Sequence, residues 1–152
     1  MPETKLMNMC MIHDPQTNRV VVQDKISTTW GGITFPGGHI ENGESITAST
    51  IREVYEETGL RVNDLKSVGL VNWCNIETQE RWLIFLFKTS DYSGILLDET
   101  HEGKVFWVDF SDIDSMNLAP DMPTYLKLFT DETLNEAFGR WEKSTYSDLE
   151  LV

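Results

Sequence analysis

The run from Ser45 to Thr58 contains neither glycine nor proline and stops at Gly59, followed by Leu60. Glycine accepts the left-handed conformation that closes a helix, so the run predicts one long helix with a glycine C-terminal cap. Projected at 100° per residue, Val54, Thr47, Ile51, Tyr55 and Ala48 fall on one arc, and Glu56, Ser49, Glu53 and Glu57 on the opposite arc. The first arc is expected to pack and the second to form a carboxylate patch. Glu53 and Glu57 are spaced i,i+4 and Glu53 and Glu56 i,i+3. Each such like-charge pair costs about 0.2–0.5 kcal/mol on an exposed helix. Arg52 can reach Glu56 at i+4, but one guanidinium does not neutralise three carboxylates.

The loop in front of the helix gives that patch a use. Gly37-Gly38 let backbone carbonyls or amides approach a ligand closely. Hard oxygen donors converging from a loop and a helix suit Mg²⁺ or Mn²⁺, which bind through a few carboxylates, waters and substrate phosphates. The patch therefore reads as a metal platform.

Around this helix the chain alternates strand-like and helix-like stretches. Leu6 to Ile12 and Arg19 to Gln23, separated by "HDPQTN", predict two strands joined by a hairpin or a looser connection, and Trp30 to Phe35 a strand ending at Pro36-Gly37-Gly38. "SVGLVNWCNI", "RWLIFLFK" and "KVFWVDF" predict further strands, the second apolar on both faces and so covered on both sides. "SDIDSMN" and "DMPTYLKLFTD" have helical character, with Ser111 or Asp121 as N-caps. The last dozen residues, "WEKSTYSDLELV", show no clear period and read as a loosely attached tail, the end of a C-terminal extension of about 131–152 whose packing the sequence leaves open. The expected architecture is a single α/β domain spanning 1–152.

With 12 Lys+Arg against 25 Asp+Glu, the net charge of -13 lacks the basic footprint that nucleic-acid binding requires. No run approaches a membrane span, and the N-terminus lacks the pattern of a secretion signal, so the expected location is cytoplasmic. Cys10 and Cys74 lie in apolar stretches without CxxC or CxxH spacing and read as buried reduced thiols. No membrane or nucleic-acid partner is expected; monomer and homodimer both stay open.

Gly38, five residues, Glu44, seven residues, then Arg52-Glu53-Val54-Tyr55-Glu56-Glu57-Thr58-Gly59-Leu60 resembles the Nudix box at every defining position. The resemblance implies a Nudix-type α/β/α sandwich with a mixed sheet and one long catalytic helix, acting on a nucleoside diphosphate linked to a further group. It implies that Glu53, Glu56 and Glu57 are metal-binding carboxylates, that a Gly37 or Gly38 carbonyl is a backbone ligand, and that Glu44 and Arg52 hold the loop against the helix. The implied cofactor is Mg²⁺, with Mn²⁺ as a substitute. "WGGITFPGGHIE" and "HEGKVFWV" are most similar to the MutT-like branch. That branch cleaves nucleoside triphosphates, oxidised purines such as 8-oxo-dGTP among them, to the monophosphate and pyrophosphate. A linked-diphosphate or dinucleoside polyphosphate hydrolase is the alternative enzyme, and a non-catalytic nucleotide-binding regulator the alternative class.

A base pocket needs a flat stacking face and polar groups for the base edge. Trp73 is the stacking candidate, and Asp121, with Asn117 as its rival, stands where MutT-like proteins present a base-reading side chain. Lys25 and Arg81 are the basic residues expected near the phosphates. Outside the box, Glu102, before Gly103 and the "VFWV" strand, resembles the branch's further catalytic and metal-binding carboxylate. His101 is the rival base, its ordinary pKa lying near neutrality.

Overall fold

A computed structural model describes residues 1–152. The strands are β1 (Thr4–Asp14), β2 (Arg19–Lys25), β3 (Gly32–Thr34), β4 (Arg61–Asn63), β5 (Lys66–Asn75), β6 (Arg81–Thr89), β7 (Asp91–Ser93), β8 (Glu99–Thr100), β9 (Gly103–Asp109), β10 (Glu136–Glu142), β11 (Thr145–Tyr146) and β12 (Glu150–Leu151). The helices are α1 (Ile46–Thr58) and α2 (Met122–Thr130), with a 3₁₀ turn at Phe110–Ser115. The main sheet runs β11-β10-β5-β6-β1-β2-β9-β8, with β3 on β2 and β12 on β10. It is mixed, because β1 lies parallel to β6 and β10 parallel to β5 while its other neighbours are antiparallel.

Side chains on a strand alternate between faces, so β1 supplies both layers of the core. Met9 and Met11 join Val20, Val22, Trp73 and Leu86 under α2, whose Met122, Tyr125, Leu126 and Phe129 close that side. Cys10 and Ile12 join Val21, Phe87 and Val105 on the other side, where α1 contributes Val54. One sheet between two helices is the α/β/α sandwich expected. Burial pushes the Cys10 thiol up to about 12, and Cys74 is half-buried and also free. No helix is long and apolar enough to cross a membrane.

Two expectations are corrected. The C-terminal residues are not loosely attached: β10 lies in the sheet beside β5, Ala137 and Trp141 are buried, and Val152 exchanges backbone hydrogen bonds with Glu136 at 2.9 Å. The apolar alternation of β10 was hard to see because its middle inward position is Gly139, whose missing side chain leaves room for the Trp73 ring. The packed face of α1 is also rotated from the projection. Thr47, Ala48 and Tyr55 are exposed, whereas Ser49, Thr50, Val54, Glu57 and Thr58 are buried. Part of the carboxylate arc faces the glycine loop rather than water.

Candidate metal and nucleotide site

Helix α1 begins at Ser45, whose hydroxyl accepts from the Ala48 N–H at 2.9 Å, and ends at Gly59 with φ 79°. These caps fix which residues face the 37–44 loop. Asn8, on β1, fastens that loop: its N–H donates to the Gly38 carbonyl at 2.9 Å, its Oδ1 accepts from the Gly38 N–H at 3.1 Å, and its Nδ2 donates to Ser49 Oγ on α1 at 2.9 Å. Both glycines are required by close approach. A Cβ on Gly37 would collide with the Asn8 carbonyl, and one on Gly38 with the Glu53 carboxylate.

Arg52 braces the loop from the other side. Its Nη2 and Nε donate to the two oxygens of Glu44 at 2.7 and 3.1 Å, and Nη2 also donates to the His39 carbonyl at 3.1 Å. Its Nη1 donates to Glu53 at 3.0 Å and Glu56 at 3.2 Å. This forked geometry is specific to arginine. It holds the Glu44 carboxyl down to about 2 and raises the guanidinium further.

The remaining carboxylates face inward. Glu57 is buried and accepts from the Gly37 N–H at 2.9 Å. Burial, and then the neighbouring Glu102, push its pKa well above the usual carboxylate range. Glu102 is held low, first by its bond with Glu57 and then by the nearby Lys25 and His101 charges. Glu53 is raised by burial, against the pull of Arg52. Glu56 is the most exposed of the three acids on the helix, at 56% for its side chain. No three acidic or imidazole side chains are drawn together around one point.

The residues nonetheless fit a divalent cation. Glu102 Oε2 is buried and receives no hydrogen bond, although it lies against a second carboxylate, Glu57. Such a pair calls for a proton or a metal. The Gly38 carbonyl already accepts from Asn8, whereas that of Gly37 accepts no hydrogen bond, which makes Gly37 the better backbone candidate of the two.

Of the other predicted residues, Lys25 lies near Glu102, and contacts through Trp30 lead from it toward Asp121. Lys25, paired in register with both Gly32 and Gly103, sets its Nζ 6.0 Å from the centroid of the Trp30 ring. Trp30 stacks on Tyr125 at 6.4 Å and donates its indole N–H to the Pro120 carbonyl at 2.7 Å, beside Asp121. Asp121 occupies the N-cap position of α2 in the left-handed conformation, φ 70°, but its side chain caps nothing, and partial desolvation raises its pKa. Asn117 contributes its backbone: its carbonyl accepts from the Ile33 N–H at 2.8 Å, and its side chain is exposed.

Trp73 and Arg81 sit elsewhere. Trp73 is buried, covered by Gly139 and by Tyr146 at 5.6 Å edge-on, so no open face is left for stacking. Arg81 donates to Asn72 at 2.9 Å, and it stands four residues along β6 from Phe85, the partner of Asn8, roughly 13 Å at the usual strand rise. It does not join the cluster. Trp30 is the aromatic that sequence reasoning passed over. The available signal was its place just ahead of the glycine loop, where a strand end carries it back toward the site. His101 and His39 are exposed, His39 meeting Arg52 only through its carbonyl.

The chain belongs to the NUDIX family: the NUDIX domain pattern matches residues 7–129. It is similar to the uncharacterized Nudix hydrolase YvcI of Bacillus subtilis, 35% identical over 88 residues, which cover 56% of each protein, so the chain spans about half the length of that curated relative. It is also similar to the oxidized purine nucleoside triphosphate hydrolase of Mus musculus, 27% identical over 125 residues, covering 80% of this chain and 76% of the mouse protein. The crystal structure of the mutator MutT protein from Bacillus halodurans superposes with a TM-score of 0.77 over 97% of both chains at 24% identity, a likeness of fold.

Proposed function

We propose that this chain is a Mg²⁺-dependent nucleoside triphosphate pyrophosphohydrolase of the cytoplasm, acting on oxidised purine nucleotides such as 8-oxo-dGTP and releasing the monophosphate and pyrophosphate. The observation that carries the hydrolase reading is the Glu57–Glu102 pair with its unserved Oε2, buried beside the Gly37-Gly38 loop. Glu53, Glu56, Glu57, Glu102 and the Gly37 carbonyl would hold the metal. When bound, it supplies charge neutralisation on the phosphates and lowers the pKa of water. Arg52 and Glu44 keep loop and helix in one register, so that the acids converge on the scissile anhydride. Glu102, the carboxylate brought against Glu57 from outside the helix, accepts the proton of the attacking water. Lys25 lies between Trp30 and Glu102 and meets the phosphate chain.

Substrate choice rests on the mouth of the site. Trp30 offers a half-buried ring and Asp121 an uncommitted carboxyl, which together suit a purine edge richer in donors. The mouse relative, named for oxidized purine nucleoside triphosphates, supports the same class. A panel of 8-oxo-dGTP, dGTP, pyrimidine triphosphates and ADP-ribose with Mg²⁺, read for pyrophosphate and for monophosphates, tests this. Pyrophosphate from 8-oxo-dGTP with the highest kcat/KM is expected. Equal kcat/KM across the triphosphates removes the oxidised-purine assignment, and two monophosphates from ADP-ribose alone move the chain to linked diphosphates.

A further inference from the structure

Two buried side-chain polar atoms in this chain lack any hydrogen-bond partner, and they are a donor and an acceptor at the same place: Gln23 Nε2 and Glu102 Oε2. Gln23 is 1% exposed. It breaks the pattern of its strand, since β2 sends Val20 and Val22 to the α2 side and Val21 to the α1 side, and the next α1-side position should be apolar. Its cross-strand partners are Val105 on β9 and Thr34 on β3, and its side chain lies alongside the Glu102 carboxylate. A buried amide without a partner is desolvated for no return, so an apolar residue would serve the fold better. A local rule broken beside a candidate site points to a role in that site.

We propose that Gln23 is a positioning residue for Glu102, its amide N–H turned to one carboxylate oxygen so that the other is presented to the divalent cation. The inference rests on the hydrolase reading above and adds a residue that lies outside the Nudix box. An outer-shell donor of this kind orients a metal-binding carboxylate, and its loss weakens metal affinity roughly 10–100-fold. Such a contact would account for how the side chain of Glu102, in the turn before β9 and remote in sequence from α1, is kept at one angle to Glu57. Backbone contacts fix only its main chain, through Ile26 N–H donating to the Glu102 carbonyl at 2.8 Å and Glu102 N–H donating to Thr100 Oγ1 at 3.2 Å.

The test is Mn²⁺ binding, followed by electron paramagnetic resonance on the full chain without nucleotide, together with a thermal melt. Gln23→Met keeps length and packing and removes the donor; Gln23→Val, matching Val21 and Val105, replaces it should the methionine variant not fold. The expected result is Mn²⁺ affinity lower by about 10-fold or more with a melting temperature at or above wild type, a split that a purely structural role cannot give. In a Glu102→Gln background the same change should weaken binding no further, because the group it positions is gone. Wild-type affinity in Gln23→Met, or a loss that persists undiminished without Glu102, overturns the inference while leaving the hydrolase reading intact. Absence of Mn²⁺ binding by wild type overturns both.

Discussion

The loop and helix from Gly37 to Gly59 and the C-terminal wall of β10 to β12 are held by different forces. In the first, a few groups of fixed chemistry satisfy one another: Arg52 with Glu44, Glu53 and Glu56, Asn8 with Gly38, Gly37 with Glu57. Few residue types can make those contacts, so the sequence there is almost a statement of the geometry. In the second, shape does the holding. Gly139 leaves space for Trp73, Trp82 lies 4.6 Å from Trp141, and Tyr146 stacks on Trp141 at 6.2 Å. Many apolar combinations fill such a space, so residue identity reveals little. The contrast teaches that a charge-built region is tuned for what it binds, and a shape-built one for staying folded.

Substitutions should therefore separate activity from stability in opposite ways in the two regions. The largest effect expected is Glu57→Gln. Its carboxyl is buried, bonded to Gly37 and pushed up in pKa by burial and by Glu102, so the amide suits the fold at least as well. Turnover should fall by about 10²-fold or more under saturating nucleotide and Mg²⁺, with the melting temperature unchanged or raised. Glu56→Gln, on the exposed edge of the same helix, should cost much less. Turnover in Glu57→Gln equal to wild type would remove this carboxylate from the metal site.

Gly139→Ala reverses the pattern. The added methyl would lie well inside the Trp73 ring, which is buried and unable to swing outward past Tyr146. Overpacking of this kind costs about 1–3 kcal/mol, or a fall of several degrees in melting temperature at ~2–4 °C per kcal/mol for a chain of this length. kcat/KM at a temperature where the variant is folded should stay near wild type. A drop in kcat/KM with an unchanged melt would mean that the wall is part of the nucleotide site and would erase the contrast.

These two regions also mark what was legible in advance. The helix, its glycine cap and the succession of the main strands along the chain follow from periodicity and caps, and the Arg52–Glu44 brace from the resemblance to the Nudix box. The rotation of α1 was not visible, because a helical projection assumes that carboxylates seek water, and Glu57 instead faces the Gly37 N–H. The burial of Trp73 depends on a glycine 66 positions later, a pairing that no local pattern contains. Lys25 reached the cluster and Arg81 did not for a related reason: strand register, set by long-range pairing, decides which end of a strand lies by the loop. Gln23 stands in the sequence only as the last residue of an apolar stretch, and its meaning needed the position of Glu102.

The smallest effect expected is also the one that isolates the charged brace, by pH. Arg52 holds the Glu44 carboxyl down to about 2, against an ordinary value of 4.5. A carboxyl with a depressed folded-state pKa binds its proton more readily in the unfolded chain. Its contribution is therefore fully present above about pH 4.5, and it is lost as pH falls toward 2. Glu44→Gln removes that titration while keeping a side chain able to accept from Arg52. The urea midpoint of wild type should exceed that of Glu44→Gln at pH 7, and the difference should shrink below about pH 4.5 and vanish near pH 2. Gly139→Ala, whose cost is steric, should keep its full offset from wild type at every pH where both fold. An offset for Glu44→Gln that is the same at pH 7 and pH 2 would show that the brace works by shape, as the C-terminal wall does, rather than by charge.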